Sequence, residues 1–347
     1  MVFRRTQLLA PMVVLILAAC TGGTTPSPSA TAPYETPTPT PMPSATVGPY
    51  AGAEAVIPMA GQPRGVAYAA GSIWVASAVG GVVQRVDPRS NEVVAELDVG
   101  ARPITLVTLG DQLWVSVLNG DPESDDELVR IDTDANAAAT RVVVPVRHNI
   151  AAGGGLLWVQ DLNGNLRSVD PETGSVADVA TSGLQPVALA ANDVAVYGIR
   201  GNGTLWRWSI TGDGDLLETP LGVAVPGRSR VWASADGLWV AVPGDVFALD
   251  PTSLEVVAHL SVPEMSLVND LWASATDVWL SAHVESDELG LDGGSILQLD
   301  PVTLEVRRTL RLGDESSGVV VGEGSVWGVD QARDLLARYP LEEVTSG

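Results

Sequence analysis

The chain has 347 residues, 46% hydrophobic and 18% charged, which is long enough for one large domain or two ordinary ones. It carries 42 acidic residues against 19 basic ones, and every basic residue is arginine. The lack of lysine excludes a lysine Schiff base and a Walker A phosphate loop. The formal net charge of -23 argues against nucleic acid as a partner, because nucleic-acid binding needs a basic surface.

Residues 1–20 have the pattern of an export signal. Arg4 and Arg5 precede an apolar run over residues 8–19, which is too short to span a bilayer comfortably and is typical of a signal peptide. The run ends in Leu-Ala-Ala-Cys, which resembles the lipobox of bacterial lipoproteins, and Cys20 is the sole cysteine in the sequence. The resemblance implies lipidation of Cys20 and a location in the cell envelope, outside the cytoplasm. An uncleaved anchor and ordinary secretion are the alternatives.

Residues 21–52 alternate proline, threonine and serine, with little apolar content. Such a composition cannot bury a core and favours extended, solvated chain. We expect a disordered stalk, which at about 3.1 Å per residue could hold a domain up to ~90 Å from the membrane. The alternative is a disordered leader without a function.

The remainder of the chain repeats itself. A phrase of the type Gly-Ser-Ile-Trp-Val-Ala-Ser recurs at intervals of about 42 residues, centred on Trp74, Trp114, Trp158, Trp239, Trp279 and Trp327. A missing copy lies midway between the third and fourth, with Val196 in the tryptophan position. Because the tryptophans share one repeat position, we interpret them as core packing; a sugar-binding platform is the alternative.

A second phrase follows most copies of the first and contains an Asp-Pro pair. Asp87, Asp170, Asp250 and Asp300 each begin such a pair, and the flanking runs alternate apolar and polar residues. The aspartate and proline favour a turn, and the runs favour strands. About four strands in each repeat predict an all-β fold, a seven-bladed β-propeller over residues 53–340 with four antiparallel strands per blade. Residues 341–347 are then a C-terminal tail.

The last blade lacks a fourth strand at the C-terminal end of the repeats. We predict that the N-terminal residues 53–60 supply this outer strand and pair with the chain near residues 335–338. Side chains alternate along a strand, so Val56 and Pro58 should face one side and Ile57 and Met59 the other. A fourth strand drawn from residues 341–345 is the alternative.

The tryptophan phrase, the Val-x-Arg-Val-Asp-Pro phrase and the Glu-Val-Val-Ala phrase resemble those of bacterial envelope propellers of the YVTN or cytochrome-D1-like repeat type. The resemblance covers the whole predicted domain and implies its fold rather than an activity. It extends distantly to the virginiamycin B lyase group, whose members open a lactone by elimination with a metal and a histidine. Blades of that group usually carry Trp-Phe-Thr where this chain has Trp-Val-Ala or Trp-Val-Ser.

A ligand site is expected where polar residues do not repeat between blades, because packing demands similar residues in each blade whereas one asymmetric ligand does not. Such residues stand at the predicted start of the innermost strands and at the exit of the second strands. They form the expected ligand-binding rim: Arg64, His148, Asn149, Asp161, Arg200, Arg230, Asn269, Asp270, His283 and Asp330. The alternative for each residue is ordinary solvated loop polarity.

Two acidic loops, residues 120–127 and 285–292, are expected on the same face. Clustered carboxylates suit a divalent cation such as Ca²⁺ or Mg²⁺, but a solvated charge run is the interpretation that we favour. No cofactor is otherwise expected. His283 and Glu285 could point to one side of a strand, and His148 could approach from another blade, which is the arrangement closest to a catalytic centre.

The sequence therefore predicts a binding or interaction module, held to the membrane through its lipid alone. Its expected partner is a small molecule in a central polar pocket or another envelope protein on the loop face. The competing prediction is a metal-assisted lyase or hydrolase that works through His148, His283 and Glu285.

Overall fold

The structure, a computed structural model, describes residues 48–120, 126–144, 150–161, 163–180, 184–211, 215–225 and 228–341. Cys20, the signal peptide and most of the predicted stalk lie outside the described residues, as do His148, Asn149 and residues 121–125 of the first acidic loop. In the part that is described, no helix is long and apolar enough to cross a bilayer.

The described residues form seven four-stranded antiparallel sheets, which are the blades of a propeller. Blade 1 contains β2 (Pro63–Ala69), β3 (Ser72–Ser77), β4 (Val82–Asp87) and β5 (Glu92–Asp98). Blade 2 contains β6 (Pro103–Leu109), β7 (Gln112–Val117), β8 (Glu127–Asp132) and β9 (Ala137–Val143). Blade 3 contains β10 (Ile150–Gly153), β11 (Leu156–Gln160), β12 (Leu166–Val169) and β13 (Val176–Ala180).

The next three blades repeat the same order of strands. Blade 4 contains β14 (Pro186–Ala191), β15 (Ala195–Arg200), β16 (Thr204–Ser209) and β17 (Leu216–Pro220). Blade 5 contains β18 (Arg230–Ala233), β19 (Leu238–Val242), β20 (Asp245–Leu249) and β21 (Val256–Ser261). Blade 6 contains β22 (Met265–Ala273), β23 (Val278–Ser286), β24 (Leu291–Leu299) and β25 (Val306–Arg311). The predicted all-β, seven-bladed fold is confirmed.

Blade 7 joins the two ends of the domain. It contains β26 (Ser316–Gly322), β27 (Ser325–Asp330), β28 (Leu335–Pro340) and, at its outer edge, β1 (Ala55–Pro58). Ile57 lies opposite Leu336, and Ile57 and Met59 are buried while Val56 and Pro58 are exposed. The predicted closing strand and its two faces are therefore confirmed.

The chain before β1 also contacts blade 7. The hydroxyl of Tyr50 donates to Asp330 Oδ2 at 2.6 Å, and the carbonyl of Pro49 accepts from the N–H of Gly313. Burial beside Asp330 raises the pKa of Tyr50 to about 12. Residues 49 and 50, which lie within the predicted stalk 21–52, are thus bonded to the propeller.

The repeated tryptophans lie between neighbouring blades, where their flat rings fill the wedge between two sheets. Trp74, Trp114 and Trp327 are completely buried, and the indole N–H of Trp74 donates to the carbonyl of Ala69. In blade 4 the prediction that Val196 takes this position is wrong: Tyr197 lies opposite Ala190 as Trp74 lies opposite Ala67, and the buried Tyr197 ring packs in the core shared with blade 5. Each tryptophan therefore contributes to one of the cores that bind adjacent blades together.

The Asp-Pro phrases form the turns between third and fourth strands. Asp170 accepts hydrogen bonds from the backbone N–H groups of Glu172 and Thr173, and these bonds lower the pKa of its carboxyl. Asp250 accepts in the same way from Thr252 and Ser253. The repeated aspartates are turn residues, as the sequence predicts.

Candidate functional site

The innermost strands of the seven blades surround a central cavity of about 900 Å³. These strands all run in the same direction along the axis, because each blade repeats one topology. The cavity is lined by the innermost strands β2, β6, β10, β14, β18, β22 and β26. Its size suits a small organic molecule rather than a folded partner.

The side chains that line the cavity differ in size from blade to blade. Residues two apart on a strand share one face. Trp232 therefore lies on the same face of β18 as Arg230, and Trp272 on the same face of β22 as Asp270. The corresponding positions in the other blades hold small or aliphatic side chains: Ala67, Val107, Ala151, Ala190 and Val320. Open volume therefore lies beside blades 1 to 4 and blade 7, and blades 5 and 6 present aromatic rings to it.

We call Trp232 and Trp272 the aromatic pair. Their ring centroids are 6.3 Å apart with the planes tilted by 47°. Both rings are only partly buried and both line the cavity, although they also pack against the cores beside blade 6. They offer an apolar surface with exposed ring area, which a planar ligand can cover.

Three arginines stand at the end of the cavity where the innermost strands begin. Arg64, Arg228 and Arg230 line this end, and we call it the arginine mouth. Arg230 Nε lies 4.0 Å from Asp270 Oδ1, and Arg228 Nη1 donates to Asn269 Oδ1 at 2.9 Å. Asp270 thus faces the guanidinium group of Arg230, while Arg228 and Glu315 act on Arg64.

Several polar atoms at the arginine mouth have no partner among the residues that the structure describes. They include Arg64 Nε, Asn269 Nδ2 and Gln331 Oε1. Asn269 is only 2% exposed, so its unpaired N–H groups would carry a substantial desolvation cost. Buried polar groups left without partners are rare in folded proteins and indicate a place where a ligand or ordered water completes the hydrogen bonding.

The charges at the mouth are poorly compensated. Burial lowers the pKa of Arg64, and the like charges of Arg228 and Arg102 lower it further, although Glu315 opposes them. Burial likewise lowers the pKa of Arg230. Both groups remain guanidinium cations, because arginine does not lose its proton in proteins.

Asp270 is the acidic member of the mouth. Burial raises the pKa of its carboxyl to about 6, against the opposing effects of Arg230 and of the N–H groups of Val319 and Leu271. The side chain is 29% exposed, but that exposed area faces the cavity, where protein surrounds it. Asp270 therefore titrates near neutral pH, as functional carboxyls often do.

The structure brings together only part of the predicted rim. Arg64, Arg230, Asn269 and Asp270 line the cavity. Asp161 is buried in a turn, where it accepts from Asn163 and Asn165 and pairs with Arg167 at 3.3 Å. These contacts give Asp161 a structural role in its own blade.

Two other predicted residues, Asp330 and Arg200, also have partners away from the cavity lining. Asp330 is completely buried and accepts from Tyr50 and from the backbone of Ala332. Arg200 pairs with Glu218 at 2.5 Å.

His283 Nε2 lies 3.2 Å from Glu285 Oε1, as their spacing on one strand predicts, but neither lines the cavity. Glu285 instead borders a separate acidic depression of about 500 Å³, which the second acidic loop forms with Glu264. Across the described residues, no group of three or more His, Cys, Asp or Glu side chains is arranged to hold a metal ion.

Sequence reasoning left out Arg228, Ser317, Gln331 and the aromatic pair, all of which line the cavity. Arg228 precedes β18 and so falls outside the counted strand positions. Trp232 and Trp272 stand at one position in two adjacent blades and nowhere else in the repeat, which is the signal that could have separated them from the packing tryptophans.

Comparison with known proteins supports the fold and one distant relative. No known family profile matches the chain. A virginiamycin B lyase from Nocardia farcinica is 27% identical over 187 residues, which cover 53% of this chain and 64% of that protein. The chain thus matches less than two thirds of that relative's length.

Solved structures show the same fold at low sequence identity. The virginiamycin B lyase from Staphylococcus aureus superposes with a TM-score of 0.62 at 15% identity, covering 83% of this chain and 98% of that one. The computationally designed Ika8 protein gives a TM-score of 0.58 at 12% identity over 81% of this chain and 97% of that one. A chain of a mitotic checkpoint complex gives 0.65 at 10% identity over 89% and 100%.

Proposed function

We propose that this protein is a binding module that holds a small molecule in its central cavity. The observation that carries the proposal is the arginine mouth, where unrepeated polar side chains meet and Asn269 keeps buried N–H groups without a partner in the described chain. A cavity wall that served packing alone would not keep buried N–H groups without acceptors, since buried polar groups are normally hydrogen-bonded. The cavity volume of about 900 Å³ fits the size range of small-molecule sites.

The predicted location belongs to the same proposal. The lipobox-like end of the apolar run supports a lipid on Cys20, and the proline-rich residues 21–47 support a spacer between membrane and propeller. Membrane fractionation of wild type and Cys20→Ala tests this. We expect the variant to leave the membrane fraction, and unchanged membrane association would contradict the lipid anchor.

Binding in the cavity can be tested by filling it. Val107 lines the cavity, whereas Val94 is 52% exposed on the outer strand β5. A mixed library of neutral and charged fragments is screened by saturation-transfer NMR against wild type, Val107→Trp and Val94→Trp. We expect fragments that compete with one another, that bind wild type and Val94→Trp, and that Val107→Trp no longer binds. Fragments that bind Val107→Trp as well as they bind wild type would contradict the proposal.

A metal-assisted lyase or hydrolase is the second candidate function, favoured by the similarity to a virginiamycin B lyase. The His283 and Glu285 pair supports it, but the described residues supply no set of three metal ligands around that pair. We therefore assign no metal-dependent step to this chain's residues. Metal analysis of the purified protein, followed by turnover of a cyclic lactone with and without chelator, separates this candidate from the binding module.

A further inference from the structure

The arginine mouth concentrates positive charge in a strongly acidic protein. Arg64, Arg228 and Arg230 line it, with Arg102 close enough to act on Arg64, while Asp270 and Glu315 supply the nearby negative charge. The chain as a whole has a formal net charge of -23. Repulsion between like charges destabilises the folded protein, so a cluster of arginines at one end of the cavity indicates a function.

The hydrogen-bonding groups left over at the mouth are mainly donors. Arg64 Nε and Asn269 Nδ2 are buried without an acceptor among the residues described. Arg228 already donates to Asn269 Oδ1, which fixes the amide so that its N–H groups are the free side. A ligand oxygen with negative charge would satisfy these donors and offset the repulsion between the guanidinium groups.

The aromatic pair lies deeper along the same two strands. Trp232 follows Arg230 and Trp272 follows Asp270 by two residues, which places the rings roughly 7 Å farther down the cavity wall. A ligand with its charge at the mouth would therefore extend an apolar part to the tryptophans. A planar aromatic ring system can pack against this exposed ring area.

From this arrangement we infer that the cavity's ligand is an organic anion. Its charged group contacts Arg64, Arg228 and Asn269, and its planar apolar part packs against Trp232 and Trp272. This inference rests on the proposed function, because it names the chemical class of ligand for the same cavity.

Three naphthalene probes of nearly equal size test the charge preference. Naphthalene-1-sulfonate is the anion, 1-naphthalenemethanol is neutral, and 1-naphthylmethylammonium is the cation. Isothermal titration calorimetry of the full propeller should show the sulfonate binding at least about tenfold more tightly than the alcohol, with the ammonium weakest.

Variants locate the bound anion. Arg64→Gln and Arg228→Gln should each weaken sulfonate binding by about tenfold and leave the alcohol unchanged. Trp272→Leu should weaken both sulfonate and alcohol. Arg141→Gln, on the outer strand β9, is the matched control and should bind like wild type. Circular dichroism establishes that each variant is folded.

The outcomes separate this inference from the proposed function. If the alcohol or the ammonium binds as tightly as the sulfonate and Trp272→Leu weakens it, the cavity is a binding site but the anion inference is overturned. If the sulfonate binds and neither arginine substitution weakens it, the inference is also overturned. If none of the probes binds and the fragment screen finds no cavity ligand, both the inference and the proposed function fail.

Discussion

The repeated tryptophan positions and the arginine mouth differ in how well their buried polar groups are hydrogen-bonded. Trp74, Trp158 and Trp327 are fully or almost fully buried, and their indole N–H groups donate to backbone carbonyls five residues earlier. At the mouth, Arg64 and Asn269 keep buried polar atoms without partners in the described structure. The tryptophans stabilise the fold in six of the seven blades, whereas the unpaired polar atoms of the mouth lower its stability at one place. The difference teaches that the candidate site of this propeller lies where its residues depart from the repeat.

The largest effect should come from opening the ring that the packing positions hold closed. A chain that begins at residue 48 keeps Tyr50 and β1, whereas one that begins at residue 61 loses the buried side chains of Ile57 and Met59. We expect the shorter chain to lose about 5 kcal/mol of unfolding free energy relative to the longer one, from two lost core side chains. Urea unfolding of both chains measures this, and equal midpoints would show that blade 7 closes without β1.

The two kinds of tryptophan should differ in what their removal costs. Trp158→Ala leaves a large hole between blades 3 and 4 and should cost about 4 kcal/mol of unfolding free energy. Trp272→Ala, at a ring that is partly exposed to the cavity, should cost about 1 to 2 kcal/mol. Chemical denaturation checks the pair of values. Equal losses would mean that the aromatic pair is packing like the rest.

Asp270 should make the unfolding free energy of the protein depend on pH. Its pKa in the folded protein is raised to about 6, above the ordinary value of 3.8, so the folded state binds the proton more tightly than the unfolded state. The unfolding free energy should therefore fall as pH rises from about 4 to about 6, by roughly 2 kcal/mol, and stay level above that.

Urea unfolding at pH 4.5 and pH 7 tests this with two variants. Asp270→Asn should remove that part of the pH dependence. Asp178→Asn, whose side chain is 65% exposed, is the matched control and should follow wild type. The same pH dependence in wild type and Asp270→Asn would contradict the assignment.

The smallest expected effect is the change in unfolding free energy when one of the mutually repelling arginines is removed. Arg64→Gln removes a cation that Arg228 and Arg102 repel, so it should raise the unfolding free energy by about 0.5 kcal/mol while it weakens anion binding. Thermal and urea unfolding at low salt measure the change. A loss of more than about 1 kcal/mol would show that Arg64 supports the fold.

The fold was predictable because each blade states the same pattern. The tryptophan phrase, the Asp-Pro turn and the apolar alternation recur, so the blades together define the pattern even where one blade departs from it. The pairing of residues 53–60 with the chain near residues 335–338 follows from the missing strand. The site has no such redundancy. Counting back from the tryptophans found Arg64, Arg230, Asn269 and Asp270, which line the cavity.

The same counting failed for residues at or beyond the ends of strands. Arg228 reaches the mouth from a loop, and Asp161 and Asp330 turn back onto their own backbone instead of pointing to the cavity. Whether a loop carboxylate faces a ligand or its own N–H groups depends on side-chain geometry. A repeat alignment does not contain that geometry.

A crystal structure of the propeller with naphthalene-1-sulfonate tests the central claim most directly. The account predicts the sulfonate oxygens within hydrogen-bond distance of Arg64, Arg228 and Asn269 Nδ2, with the rings against Trp232 and Trp272. A sulfonate bound on the outer surface, with the arginine mouth unchanged and its donors still unpaired, would contradict the claim that the unrepeated mouth is a ligand site.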